Sequence, residues 1–169
     1  MLELDLRALA RGPRHIEATM PLDGDAWPDA GVEFTAPPRV EADAVLTGER
    51  GVHVTGVVGA TAVQSCRRCL NDVRTAVEVK LDLFFDPGVA KEEEEGQVYA
   101  MEADAAALDL KPAVREQLLL EVPAFPLCRA DCEGLCPQCG VDLNEESCGC
   151  VLDEPDPRWD VLRELQADS

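Results

Sequence analysis

Lysine and histidine are scarce in this sequence, and each shortage argues against a particular class of function. The 169 residues include three lysines, Lys80, Lys91 and Lys111, so the chain carries little of the charge on which sequence-independent RNA binding depends. The two histidines, His15 and His53, lie beside no serine or cysteine in a recognisable nucleophile motif. Phosphate-binding loops of the GxxxxGK type and GxGxxG fingerprints are also absent. We therefore expect a protein that is not an enzyme.

Long apolar runs are missing as well. No stretch approaches the length of uninterrupted apolar sequence that a transmembrane helix needs. The first residues, MLELDLRALARGPRH, carry charges every few positions and lack the apolar centre of a secretory signal, so we expect a cytoplasmic protein without membrane contact. With 46% apolar residues, the chain can form one domain with its own core and a small appendage.

Acidic residues outnumber basic ones by more than two to one. The chain has 34 Asp and Glu against 15 Lys and Arg, a net charge of −19. The excess is uneven, because residues 1–74 hold 8 basic and 11 acidic residues whereas residues 75–169 hold 7 and 23. Such a surface repels phosphate backbones and attracts basic partners. Solubility alone is the other explanation for the charge.

Cysteines, in contrast, are abundant and closely spaced. Cysteines two residues apart can turn both sulfurs toward one cation, as tetrahedral Zn²⁺ requires. Pairs separated by one or two residues would form small strained disulfide rings, and a reducing cytosol disfavours disulfides further. We therefore predict one or two Zn²⁺ ions per chain, with a thiol-redox protein as an alternative because CxxC is also a redox motif. The predicted metal ligands are Cys66, Cys69, Cys128, Cys132, Cys136, Cys139, Cys148 and Cys150.

The grouping of these ligands stays open between two arrangements. In the first, Cys136 and Cys139 share a site with the cysteines at 148 and 150, while Cys66 and Cys69 share another with those at 128 and 132. That arrangement ties the tail of the chain to its body. In the second, a single site lies in the tail, and two tail cysteines stay free or bind metal weakly with the upstream pair. A four-thiolate site leaves no open position for water, which argues against hydrolysis by the metal.

Alternating apolar and polar residues predict an antiparallel, β-rich body. Residues 40–47 and 52–58 alternate on either side of the turn at residues 48–51, which is typical of a hairpin. The clearest strand spans residues 73–85, and alternation over residues 2–6 indicates a short strand at the N-terminus. The upstream CxxC pair then lies at the tip of a connection between two strands.

Helical spacing occurs twice. Apolar residues recur at four-residue intervals from Leu110 to Val122, with Pro112 suited to the first turn and Pro123 to the end, which predicts a helix packed on the sheet. A second, short helix is predicted from Asp156, with Trp159 on its apolar face. Between strand and helix, residues 89–107 are poor in apolar residues and contain four adjacent glutamates, which predicts a mobile loop.

Together these patterns predict an α+β fold in two parts. Residues 1–125 form a β-rich domain with an N-terminal extension, the CxxC knuckle and the packed helix. Residues 126–169 form a zinc-binding, cysteine-rich tail with a short C-terminal helix. Arg67 and Arg68, enclosed by the CxxC, are candidates for contacts with phosphate or carboxylate groups. The alternative is that they are solvated or pair with the acidic tail, since these two arginines and Arg74 together make only a weak basic patch.

These motifs, taken in their order along the chain, resemble the YceD-like family. The resemblance rests on CRRCL, LLLEVPAFPLC, CEGLCPQCGVDLNEESCGC and DPRWDVLRELQ, and it covers roughly residues 40–167. The family, long described as a domain of unknown function, is known as the large ribosomal RNA subunit accumulation protein. The resemblance implies a non-enzymatic role in 23S rRNA accumulation and large-subunit assembly. It also implies a natural partner in a small, basic zinc-ribbon ribosomal protein, whose gene often neighbours those of the family.

Two functional hypotheses follow from the charge and the resemblance. In the first, the chain contacts a basic large-subunit ribosomal protein, or docks through one on a pre-ribosomal particle. The acidic run of Glu92, Glu93, Glu94 and Glu95 would then belong to the contact surface. In the second, Arg67 and Arg68 bind rRNA directly. An RNA-processing enzyme would need metal-dependent turnover, which a closed thiolate site does not offer.

Overall fold

A computed structural model of the chain describes residues 2–22, 27, 31–48, 50–90, 92 and 96–150. The chain has an α+β fold that is rich in β-structure. Within the described residues the elements are β1 (Glu3–Asp5), α1 (Leu6–Leu9), β2 (Arg14–Thr19), β3 (Glu33–Phe34), β4 (Arg39–Thr47), β5 (Gly51–Ser65), β6 (Asp72–Asp86), β7 (Val98–Ala100), β8 (Ala107–Asp109) and α2 (Lys111–Glu121). None of the described helices is long and apolar enough to cross a membrane.

The main sheet has the strand order β2-β4-β5-β6-β7, and β3 also pairs with β5. The predicted hairpin is confirmed as β4 and β5, and the predicted long strand is confirmed as β6. β5 and β6 pair antiparallel over almost their whole length, from Val52 opposite Phe85 to Ser65 opposite Asp72. Because the two strands stay paired up to Ser65 and Asp72, the CxxC turn begins directly at the end of β5.

One face of this sheet carries the core, as the alternation predicted. The buried residues of β5 include Val52, Val54 and Val58, and those of β6 include Leu81, Leu83 and Phe85. Leu46 departs from the pattern, because its side chain is 43% exposed near the end of β4. The N-terminal segment closes one side of the core, where β1 pairs antiparallel with β8 and buries Leu2 and Leu4.

The predicted helix is confirmed as α2, which packs on β6 and β5. Val114 and Leu118 are fully buried, and Pro112 lies in the first turn. The carboxylate of Asp109 accepts a hydrogen bond from the Lys111 N–H at 3.0 Å, which satisfies one of the free donors at the helix start. Val122, before Pro123, is extended, so the helix ends there and the chain turns toward the cysteines.

The prediction of a loop throughout residues 89–107 was wrong at β7. This strand pairs parallel with β6, and it is the exception to the antiparallel pattern of the described strands. Tyr99 is buried, stacks on Phe85 with ring centroids 5.4 Å apart, and accepts a hydrogen bond from Gln117 of α2 at 2.8 Å. A strand of three residues offers too short a period to detect, so its tertiary contacts decide the structure.

The predicted N-terminal strand is shorter than expected. β1 ends at Asp5, whose carboxylate accepts hydrogen bonds from the Arg7 and Ala8 N–H groups at 2.8 and 3.1 Å and starts α1. Aspartate at a helix N-cap therefore prevails over the alternation that continues to Leu6. The predicted helix from Asp156 and the glutamates at 93–95 lie outside the described residues, whereas Glu92 is described and exposed.

Candidate metal centres

The upstream cysteine pair and the first tail pair come together in a cluster that we call the sheet tetrad. It consists of Cys66, Cys69, Cys128 and Cys132, whose sulfur atoms all lie within 4.8 Å of one another. Cys66 Sγ lies 3.9 Å from Cys132 Sγ, and Cys69 Sγ lies 3.6 Å from Cys128 Sγ. A tetrahedral Zn²⁺ with Zn–S bonds of about 2.3 Å holds its sulfurs about 3.8 Å apart. The separations therefore fit four thiolates around one such ion.

The turn between β5 and β6 builds the first half of this tetrad. Leu70 N–H donates to the Cys66 carbonyl at 3.0 Å, and Cys66 N–H donates to the Asn71 carbonyl at 2.8 Å. The Arg68 N–H points at Cys66 Sγ at 3.4 Å. Leu70 closes the turn with φ of 63°, a left-handed conformation that is rare outside glycine. We call this turn, residues 66–71, the first knuckle.

Arg68 attaches the tail to the first knuckle. Its guanidinium donates to the Cys132 carbonyl at 2.7 Å, and its own carbonyl accepts the Leu135 N–H at 3.1 Å. Gly134 packs against this backbone with φ of 81°, and a Cβ there would lie 3.0 Å from the Arg68 carbonyl oxygen. Arg68 therefore links the first knuckle to residues 132–135, a structural role that its position between two cysteines did not reveal.

Arg67 points outward beside the chain that leaves α2. Its backbone N–H donates to the Pro126 carbonyl at 2.9 Å, and its guanidinium donates to the Ala124 carbonyl at 3.2 Å. The guanidinium carbon lies 5.8 Å from the centre of the Phe125 ring, and Phe125 is 79% exposed. The two arginines proposed as partner contacts thus differ in what they contact.

A small apolar cluster surrounds the sheet tetrad. Cys66, Cys69 and Cys132 are buried, and Val73, Leu127 and Leu135 pack against them. This cluster is separate from the main core that lies under the sheet. Buried thiolates without a cation would be costly, because burial in an apolar site penalises charge.

The thiols of the sheet tetrad have opposed proton affinities. The backbone N–H of Cys69 lowers the pKa of Cys66 to about 6. The hydrogen bond with Cys132 and burial raise the pKa of Cys128 to about 12. One thiol ionises readily and the resulting charge opposes ionisation of the others. A bound divalent cation removes this conflict, since coordinated thiols are deprotonated.

The remaining cysteines form a second cluster, the tail tetrad. It consists of Cys136, Cys139, Cys148 and Cys150, whose sulfurs also lie within 4.8 Å of one another. Its first half repeats the first knuckle: Gly140 N–H donates to the Cys136 carbonyl at 2.8 Å, and Cys136 N–H donates to the Val141 carbonyl at 2.8 Å. Gly140 has φ of 76°, so glycine here occupies the position of Leu70. We call residues 136–141 the second knuckle.

The tail tetrad also repeats the opposed proton affinities. The backbone N–H of Cys139 lowers the pKa of Cys136 to about 6, whereas the hydrogen bond with the Cys139 thiol raises the pKa of Cys150 to about 12. The sulfur distances place the eight cysteines in the first of the two groupings that the sequence left open, so that the sheet tetrad joins the body of the chain to its tail. The chemistry of both donor sets, four thiols in a tight cluster, suits Zn²⁺.

Two polar residues that the sequence did not single out connect the tetrads. The Asn144 amide accepts the Glu133 N–H at 2.8 Å and donates to Cys132 Sγ at 3.5 Å. The Asp142 carboxylate accepts from the Asn144 N–H at 2.9 Å and from the Asn71 amide at 3.1 Å. Hydrogen bonds from the backbone and side chain of Asn144 lower the pKa of Asp142. The only signal was the Asp-x-Asn spacing, which is common in turns.

Comparison with known proteins gives the family of this chain. The family model "Large ribosomal RNA subunit accumulation protein YceD" matches residues 54–166. An uncharacterised protein of Mycobacterium tuberculosis is 44% identical over 118 residues, 68% of this chain and 56% of the relative. One of Mycobacterium leprae is 34% identical over 140 residues, 80% of this chain and 62% of the relative. The uncharacterised protein YlbN of Bacillus subtilis is 28% identical over 138 residues, which cover 81% of this chain and 78% of the YlbN chain.

The chain spans little more than half the length of the mycobacterial relatives that it matches. No solved structure matches the chain. The family model nevertheless covers two thirds of the chain and includes both knuckles and both tetrads. The chain belongs to the YceD family of large ribosomal RNA subunit accumulation proteins.

Proposed function

We propose that this protein is a non-enzymatic cytoplasmic factor that supports accumulation of the large-subunit rRNA and assembly of the large ribosomal subunit. The match to the YceD family carries this proposal, because the family is described as large ribosomal RNA subunit accumulation proteins. The match also spans all eight cysteines. The two tetrads support a scaffolding role for the metal. Four thiolates complete the coordination of a tetrahedral ion and leave no position for water or substrate.

Zinc is the metal that we assign to both tetrads. The Cys66–Cys132 and Cys69–Cys128 sulfur separations, 3.9 and 3.6 Å, support Zn²⁺ in the sheet tetrad. When bound, the ion supplies positive charge that stabilises buried thiolates and contributes folding free energy. In the sheet tetrad it would hold the tail against the first knuckle, and in the tail tetrad it would fold the tail on itself.

We assign the protein a basic partner, a ribosomal protein of the large subunit or a particle that displays one. The net charge of −19 supports this assignment, as does the concentration of 23 acidic residues after residue 74. Each four-thiolate zinc centre would add about two further negative charges. Complementary charge accelerates association and selects against other acidic surfaces, including bare RNA.

The family role is tested by deleting the gene in its own host and measuring the ratio of 23S to 16S rRNA. We expect the ratio to fall and the intact chain to restore it. The partner is tested separately by mixing the purified chain with fractionated large-subunit ribosomal proteins at physiological and high salt. Binding of basic proteins that high salt abolishes is expected. An unchanged rRNA ratio would contradict the family role, and salt-insensitive or absent binding would contradict the basic partner.

Direct rRNA binding is the second candidate, and one observation favours it. Arg67 and Phe125 form an exposed cation–aromatic pair beside the first knuckle, and unpaired RNA bases stack on such side chains. A gel shift of the purified chain on rRNA fragments distinguishes the candidates. A salt-sensitive shift without ribosomal protein, lost in Phe125→Ala, would support this candidate over the first.

A further inference from the structure

A cavity of about 420 Å³ opens between β7 and the first turns of α2. Its lining is largely apolar. Phe85, Tyr99 and Leu108 are buried members of the main core, and Met101 packs against that core from the end of β7. Ala113 of α2, which is 2% exposed, forms the opposite wall. The cavity is therefore a recess that reaches the core from solvent.

Carboxylates surround the mouth of this cavity. Glu102, Asp109 and Glu116 line it, and all three are exposed. Lys111 provides one ammonium group, with Nζ 3.3 Å from a carboxylate oxygen of Asp109. The Arg50 guanidinium, which donates to the Ala103 carbonyl at 3.0 Å, brings a second positive charge beside Glu102. Three negative charges against two positive charges leave the mouth acidic. Phosphate is repelled here, whereas a cation is attracted.

We propose that this cavity receives a lysine or arginine side chain of a basic protein partner. The inference rests on the proposed function and names the surface that the basic partner contacts. A long cationic side chain lays its methylene groups along apolar surface and keeps its charged end among polar groups. The apolar lining fits the methylene groups, and the carboxylates of Glu102 and Glu116 fit the charge.

The outer face of the main sheet provides a control, because it is acidic like the cavity beside α2 but lies opposite the core. A larger cavity there, of about 730 Å³, also has carboxylates, from Glu17, Glu41 and Glu78. Arg39 stands among them, and the cavity lies on the face opposite the core. Charge attracts cations to both places, but the cavity beside α2 also offers an apolar recess that reaches the core.

The test uses the full zinc-loaded chain and two peptides of equal charge, deca-lysine and a decamer of 2,4-diaminobutyric acid. The second has two fewer methylene groups per side chain. We expect deca-lysine to bind about tenfold more tightly at physiological salt, because each buried methylene contributes to affinity. Replacing Glu102 and Glu116 by glutamine should weaken deca-lysine binding about tenfold, and the matched pair Glu41→Gln/Glu78→Gln less than about threefold.

Methionine methyl signals locate the bound peptide. The chain has three methionines, and methyl labelling reports on Met101 at the cavity and on Met20, which is fully buried elsewhere in the core. We expect deca-lysine to shift the Met101 signal and leave Met20 unchanged. Equal affinity for the two peptides, equal weakening by the two variant pairs, or an unshifted Met101 would each overturn the cavity while leaving a basic partner in place. If neither peptide binds, both the cavity proposal and the basic partner are overturned. The rRNA ratio in the deletion strain stays an independent test of the family role.

Discussion

The backbone conformation of single residues distinguishes the two knuckles, although their hydrogen bonds repeat. Leu70 and Gly140 occupy the same position, with φ of 63° and 76°. Leucine is strained in this conformation because its Cβ crowds the neighbouring carbonyl, whereas glycine is not. Leu70 is 63% exposed, so its side chain gains little burial in return. The first knuckle therefore keeps a strain that the second knuckle avoids.

Exchanging these two residue types should change stability in opposite directions. We expect Leu70→Gly to stabilise the zinc-loaded protein by about 0.5 kcal/mol, since glycine's greater freedom in the unfolded chain offsets part of the relief. Gly140→Leu should destabilise it by about 1 kcal/mol. Urea unfolding at fixed zinc concentration measures both. Destabilisation by Leu70→Gly would mean that the leucine side chain has a packing role that its exposure conceals.

Gly56 is required by the close approach of β4 to β5. A Cβ at this position would overlap the backbone of Glu41 and Ala42. Gly59, three residues along the same strand, has no heavy atom closer than 4.0 Å to such a Cβ. We expect Gly56→Ala to cost about 3 kcal/mol, because backbone atoms cannot move aside as a side chain does, and Gly59→Ala to cost less than about 1 kcal/mol. Thermal unfolding of the two variants checks this, and equal losses would contradict the strand geometry.

His15 gives the β2–β4 pair a pH dependence. Its ring nitrogens lie 2.9 Å from Asp43 and 3.4 Å from Glu17, and these carboxylates, Asp43 foremost, raise the pKa of His15 above its ordinary value of 6.5. A raised pKa means that the contribution to stability is complete below 6.5 and is lost as the pH rises through the higher folded-state value. We expect His15→Gln to lose stability mainly in the acidic range where Asp43 is still ionised. Unfolding measured at several pH values should show the difference narrowing toward alkaline pH, and a widening difference would contradict the ion pairs.

At the scale of elements, the alternating pattern predicted the long strands but not the short ones. Residues 73–85 of β6 face alternately core and solvent as the sequence indicated, because a strand with one buried face needs a period of two. β7 and β8 have three residues each, too few for a period to emerge. Their place depends on distant partners, such as the side chain of Gln117 that binds Tyr99. Such contacts follow from the fold and leave no local pattern in the sequence.

The predicted metal ligands were likewise only partly predictable from local sequence. The two CxxC turns were evident from spacing, because each knuckle is completed by hydrogen bonds within six residues. The pairing of Cys66 with Cys132 joins residues 66 positions apart. Sequence spacing left two groupings open, since no local rule says which pairs meet. The roles of Arg68 and Asn144 could not be foreseen for the same reason: both bind backbone or sulfur atoms that only the fold brings near.

The attachment of the tail to the first knuckle is tested by comparing two neighbouring arginines. Both arginines are exposed, but the Arg68 guanidinium donates to the Cys132 carbonyl of the tail at 2.7 Å, whereas the Arg67 guanidinium donates to the Ala124 carbonyl at 3.2 Å. We expect Arg68→Ala to cost about 1 to 2 kcal/mol and to speed amide exchange in residues 128–135. Arg67→Ala should leave exchange in that segment unchanged. Equal exchange in the two variants would contradict a role for the Arg68 side chain in attaching the tail.

At the scale of the whole molecule, the two separate apolar clusters should differ in how far their stability depends on the zinc that we propose. The main core under the sheet contains none of the eight cysteines, whereas the smaller cluster is built around Cys66, Cys69 and Cys132. Removing zinc would leave thiols of opposed proton affinity in the small cluster and would leave the contacts of the main core untouched. The sheet should therefore survive metal loss, and the tail should not.

This expectation leads to a measurement on the intact protein. We expect two zinc ions per chain by elemental analysis and native mass spectrometry, one for each tetrad. Chelation should accelerate amide exchange throughout residues 126–150, while β4, β5 and β6 keep their protection. Cys66→Ser should loosen residues 126–135 together with the first knuckle, because this tetrad bridges the sheet and the tail, and Cys148→Ser should act mainly on the second knuckle. A single zinc ion per chain would contradict occupation of both tetrads. Tail exchange that Cys66→Ser leaves unchanged would contradict the bridging tetrad, and loss of sheet protection on chelation would show that the two clusters fold as one unit.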